Sequence, residues 1–93
     1  MRIAVLEIRL HLPGVHSLKE KRSIIKGLLA KVQQRFAVAA AEVAHQDVWQ
    51  TAGLGMAVVG NDAALLQSRL RKVVESIEQS GQVVVADFRV DVL

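Results

Sequence analysis

A chain that passes from period-two to helical hydrophobicity within a few residues commits two elements at once, and here the passage is residues 11–22, HLPGVHSLKEKR. Before it, residues 2–12 alternate, with Leu6, Ile8, Leu10 and Leu12 on one face and Glu7, Arg9 and His11 on the other. That is a strand with one buried side. Pro13-Gly14 marks a turn, because Pro presets φ at one central position and Gly accepts the positive φ of the next. Ser17-Leu18-Lys19-Glu20 reads as a capping box, in which the Ser17 hydroxyl accepts from the Glu20 N–H and the Glu20 carboxylate accepts from the N–H of Ser17. A helix is predicted to begin within one residue of Ser17.

The helix carries an apolar stripe at Leu18, Ile25, Leu28, Leu29, Val32 and Phe36. Residues 37–49, AVAAAEVAHQDVW, suit a helix by Ala propensity. They are assigned to a strand because Thr51-Ala52-Gly53 resembles a turn and a second β-like run, LGMAVV at 54–59, follows at once. Gly60-Asn61-Asp62 stops that run and caps a second helix with its stripe at Leu66, Leu70, Val73 and Ile77, closed by Gly81. The last segment, QVVVADFRVDVL, alternates Val84, Ala86, Phe88, Val90 and Val92 against Asp87, Arg89 and Asp91.

The order β-α-β-β-α-β points to an α+β, ferredoxin-like sandwich: a four-stranded antiparallel sheet in order 4-1-3-2 with both helices on one face. At 93 residues it is expected to be a single domain, residues 1–93. In this topology residues 11–19 and 45–50 meet at one end of the sheet. The chain has no Cys, which excludes disulfides and thiolate metal sites and fits a reducing cytosol. Glu7 and Arg9 interrupt any signal-peptide core, and no apolar run reaches the ~20 residues of a membrane span. A soluble cytoplasmic protein without membrane contact is the expectation.

Charge is unevenly placed. Between Ser17 and Arg35 six basic residues, Lys19, Lys21, Arg22, Lys26, Lys31 and Arg35, face Glu20 alone, whereas the remaining chain has six basic and eight acidic residues. Lys19, Arg22 and Lys26 form a stripe beside the apolar face, and the helix start adds free N–H groups near His16 and Ser17, which suits a phosphate. The same side chains also suit a plain solvated helix surface.

HQDVWQ, residues 45–50, is the second candidate. On an extended strand His45, Asp47 and Trp49 share a face, so the carboxylate could orient the imidazole as a base. Trp49 could instead stack on a base or anchor a protein partner, and His45, Asp47 and Gln50 could simply tie down the hairpin backbone. Adding His11 or His16 produces no metal-ligand spacing, and no nucleophile or Gly-rich phosphate loop accompanies the pair, so no metal or cofactor is implied. On the uncovered sheet face Ile3, Val5, Val83 and Val85 are expected to form an apolar half, and Glu7, Arg9, His11, Asp87, Arg89 and Asp91 a polar one. A second copy is the simplest partner for such a face. A stacking platform of the RNA-recognition type is not expected, because the central strands carry no aromatics.

HLPG and SLKEKR at the first turn and helix start, HQDVWQ, and AVVGND at 57–62 together resemble the YlxP-like family of uncharacterised bacterial proteins, over essentially the full chain. The resemblance implies the ferredoxin-like fold. Through the frequent genomic company of translation-initiation and ribosome-maturation factors, it also implies a link to RNA or ribosomes. It implies no activity and no catalytic residue. Three functions follow as expectations: a non-enzymatic module binding RNA or a ribosomal partner through Lys19, Arg22 and Lys26; a dimeric protein-interaction module; and a small enzyme using His45 and Asp47.

Overall fold

The computed structural model describes residues 1–93. Strand β1, Arg2–His11, buries Ala4, Leu6, Ile8 and Leu10 and exposes Glu7, Arg9 and His11, as its alternation requires. The chain then turns at Pro13-Gly14, where Gly14 has φ 80° and the Val15 N–H donates to Leu12 O (3.4 Å), a type II geometry. Helix α1, Leu18–Phe36, starts on Ser17, whose hydroxyl accepts from the Glu20 N–H at 3.1 Å. The reciprocal half of the cap is displaced by one residue: the Glu20 carboxylate accepts from the N–H of His16, at 3.3 Å, rather than from Ser17.

The remaining elements are β2, Ala39–Ala44; β3, Thr51–Gly60; α2, Ala63–Gln79; and β4, Val84–Val92. The Asp62 side chain caps α2 by accepting from the N–H groups of Ala64 and Leu65. All strand pairs are antiparallel and the sheet order is β2-β3-β1-β4, the expected arrangement. Both helices pack on one face. Ile25, Leu28 and Val32 of α1 and Leu66, Leu70, Val73, Val74 and Ile77 of α2 meet Leu6, Ile8 and Leu10 of β1 and Leu54, Met56 and Val58 of β3 in one core. No helix is long and apolar enough to cross a membrane.

Two expectations are corrected. The second strand ends at Ala44, not 49, and the third begins at Thr51, so HQDVWQ is the hairpin loop and the proposed turn at 51–53 lies inside β3. Gly53 sits in that strand because a Cβ there would lie 2.8 Å from Ala44 Cβ, so close packing rather than chain reversal explains it. In β4 the alternation breaks: Arg9 pairs with Asp87 and Leu10 with Val85, leaving Ala86 as a bulge that reverses which side chains face the core. Val83 and Val85 therefore join the core and Val84 is exposed, whereas strict alternation put Val83 and Val85 on the open face.

The glycine contacts give a direct check. Gly53→Ala drives two Cβ atoms together that only backbone movement can separate, and should lose about 1–3 kcal/mol. At Gly55 the nearest atom is Val43 Cγ1, 3.2 Å away on an exposed side chain, so Gly55→Ala should stay within about 0.5 kcal/mol of the parent. Equal urea midpoints for the two variants would contradict this packing.

Candidate functional site

The rim where the first turn meets the β2–β3 hairpin is organised by a residue that polarity alone would place in solvent. Lys21 is 0% exposed. It occupies the first position of the stripe completed by Ile25, Leu28 and Val32, so its stem enters the core from the first turn of α1. Its ammonium donates to the backbone carbonyl of His45 at 2.5 Å and lies 2.9 Å from Glu42 Oε2. The approach to Glu42 Oε2 is not aligned as a hydrogen bond, so that contact is Coulombic while the carbonyl takes the directed bond. Glu42 points from β2 toward the helix layer, its side chain 17% exposed.

Backbone geometry at His45 follows from this anchor. The ladder shifts between Glu42 and Ala44, and His45 adopts φ 60°, which turns its carbonyl toward Lys21 and the Val48 N–H. On the other side, the Leu12 N–H donates to Gln50 O (2.9 Å) and Gln50 Nε2 donates to Val15 O (3.4 Å). Residues 12–17 and 45–50 are thus joined at one end of the sheet.

The side chains at the rim are less organised than its backbone. His45, Asp47 and Trp49 all lie in the exposed loop, Trp49 being 49% exposed. They share no strand face, and no hydrogen bond links His45 to Asp47, so an imidazole oriented by that carboxylate is not assembled. Gln50 serves the backbone, and His11 lies on the open face opposite Thr51 and Val84. His16 and Ser17 contribute to the helix cap, with Glu20 already supplying a carboxylate to its N–H groups.

Lys19, Arg22 and Lys26 are exposed, and none has a carboxylate within 4.0 Å. Arg22 and Lys26 line a groove of about 510 Å³ between α1 and β2, with Leu29, Gln33 and Glu42. On the opposite face of the sheet both arginines are paired, Arg9 with Asp87 at 3.1 Å and Arg89 with Glu7 at 3.3 Å and Asp91 at 2.9 Å. A second groove, of about 480 Å³, crosses that face, lined by Glu7, Arg9, Asp87 and Arg89 with Gly53, Ala44 and His45.

Lys21 and Glu42 escaped the sequence reading as a pair, although a signal existed. Lys21 falls four residues before Ile25 on the helical stripe, and Glu42 shares the core-facing register of Ala40.

The family model described as "Protein of unknown function (DUF503)" matches residues 3–90. The chain belongs to this family. Over 62 residues, 67% of each chain, it is 37% identical to the uncharacterized protein YlxP of Bacillus subtilis strain 168. Among solved structures it is similar to the structural-genomics protein YJCS, with a TM-score of 0.54, 12% identity and 96% of each chain covered. It is also similar to a candidate chlorite dismutase, with a TM-score of 0.55, 9% identity, 99% of this chain and 44% of that one covered. At these identities the two structures share the fold alone.

Lys21→Ala leaves Glu42 without its counter-charge and opens a void beneath the hairpin, and should cost about 3 kcal/mol. Lys21→Met/Glu42→Leu should recover most of that loss, because apolar side chains of similar size need no partner. Urea unfolding followed by Trp49 fluorescence measures both; a single variant within about 0.5 kcal/mol of the parent would show that the pair does not hold the rim.

Proposed function

We propose that the chain is a cytoplasmic binding protein whose ligand is the phosphate backbone of RNA, reached through Lys19, Arg22 and Lys26, with ribosomal RNA the favoured class. One observation carries this reading: the arginines on the open face of the sheet are paired with its own carboxylates, while Lys19, Arg22 and Lys26 of α1 stand exposed without one. Clustered, uncompensated cations repel one another along a helix by a few tenths of a kcal/mol per pair. A polyanion removes that repulsion and releases its own condensed counterions. Burial of Lys21 sharpens the stripe, since the ammonium that does not face solvent is the one already paired. Arg22 and Lys26 line the groove between α1 and β2 together with Gln33 and with Glu42, the carboxylate that Lys21 already holds. Resemblance to the YlxP-like family, with its genomic link to translation factors, supports RNA over other polyanions. Trp49, exposed at the rim above the helix start, supplies a surface on which a nucleobase could stack.

Binding to labelled single- and double-stranded RNA should weaken steeply with salt, by roughly 0.7–0.9 logarithmic units per phosphate contacted for each tenfold rise. Lys19→Ala/Arg22→Ala/Lys26→Ala should reduce that slope by about two to three units and abolish co-sedimentation with ribosomes at low salt. Equal binding by the triple variant would remove the reading.

A further inference from the structure

The two edges of the sheet are treated differently. Along β2 the outward carbonyls are closed by side chains, Gln33 Nε2 donating to Ala40 O (2.8 Å) and Gln46 Nε2 to Glu42 O (3.4 Å), with Lys21 on His45 O just beyond. Along β4 no side chain donates to the free edge. Proteins normally blunt an exposed edge, because unpaired N–H and C=O groups template another strand.

We propose that the free edge of β4 pairs antiparallel with β4 of a second copy, about a two-fold axis at Val90. Hydrogen-bond phase comes first. The Leu93 N–H donates to Ile3 O (2.8 Å), so by antiparallel alternation Asp91 and Arg89 turn their backbone groups toward β1, and Phe88, Val90 and Val92 turn theirs outward. An axis at Val90 sets Val90 opposite its counterpart and Phe88 opposite Val92, using every outward group of that stretch. Charge then selects the same register. Arg89 comes to lie opposite the second copy's Asp91 and Asp91 opposite its Arg89, whereas an axis at Arg89 would oppose Arg89 to itself and Asp87 to Asp91. An axis at Phe88 runs into the bulge at Ala86, where regular pairing stops.

Side-chain burial agrees. Phe88 is 42% exposed on the helix side of the sheet, with Val90 and Val92 packed against the core but only half-buried beside it, an apolar row whose exposed part a second row would cover. The open sheet face offers a second copy less. Its charges are already paired, and the bulge has moved Val83 and Val85 from it into the core. A two-fold at the β4 edge would produce one eight-stranded sheet with both α1 helices in the same layer.

Sedimentation equilibrium of the whole chain, without RNA, tests this. The parent should show twice the 10.1 kDa chain mass. Arg89→Asp sets like charges opposite each other across the axis and should raise the dimer dissociation constant at least roughly tenfold. Arg89→Asp/Asp91→Arg should restore the dimer, and Val5→Glu on the open face should leave it unchanged. Circular dichroism confirms that each variant is folded. A monomeric parent, an Arg89→Asp variant that still dimerises, a charge-swapped variant that does not, or dissociation by Val5→Glu would each overturn the proposal.

Discussion

An ammonium group enclosed by the first turn of α1 and the end of β2 is the constraint on which this end of the molecule depends. Removing a cation from water costs several kcal/mol even after relaxation, and the interior returns that only if a counter-charge and a directed acceptor are both in place. Lys21 has both, in Glu42 and in the carbonyl of His45. The acceptor is a main-chain atom, so the bond dictates backbone shape: the shift in the β2 ladder, the positive φ of His45 and the turn closed by Val48 all bring that carbonyl into reach. Gln50 completes the junction from the other strand, linking the hairpin to the Pro13-Gly14 turn. Two loops some thirty positions apart in the chain are thus hydrogen-bonded into one rim.

Electrostatics then divides the surface. Arg9, Arg89, Glu7, Asp87 and Asp91 form a short network on the open face of the sheet, where exposed pairs contribute little to stability but leave neither arginine without a carboxylate partner. On the helix layer Lys19, Arg22 and Lys26 have no such partners. The uneven placement of charge, with the arginines of the open face paired and these three cations without a carboxylate in reach, is not conveyed by the modest net charge of +3. The edges repeat that asymmetry in backbone terms, with β2 closed by amide side chains and β4 left open.

Most of the architecture was legible because local rules and tertiary packing agree. Period-two runs, helical stripes, the Ser17 and Asp62 caps and the Pro13-Gly14 turn each place an element boundary within a residue or two, and the order of elements leaves few topologies. The failures have specific causes. HQDVWQ alternates well enough to pass for a strand, yet polar residues tethered by main-chain bonds make a stable loop, and Ala44 is the last position to pair with β3. A single extra residue, Ala86, inverts the facing of β4 upstream of it, and nothing in VVVADF marks a bulge. Residue type alone does not separate Lys21 from the other five basic residues of the helix as the enclosed one, because lysine is almost never enclosed.

The amino-acid sequence alone determined the fold class, the strand order, the helix caps and the basic bias of the first helix, since these rest on spacing and on backbone preferences that act over a few residues. Tertiary structure alone decided which of the six cations on that helix is enclosed, that His45 and Asp47 lie in a loop without a hydrogen bond between them, which valines face solvent and which sheet edge is open. Those outcomes depend on groups far apart in the chain meeting at distances of a few ångströms, where one inserted residue or one buried charge changes the partner, and local pattern holds no information about who the partner is.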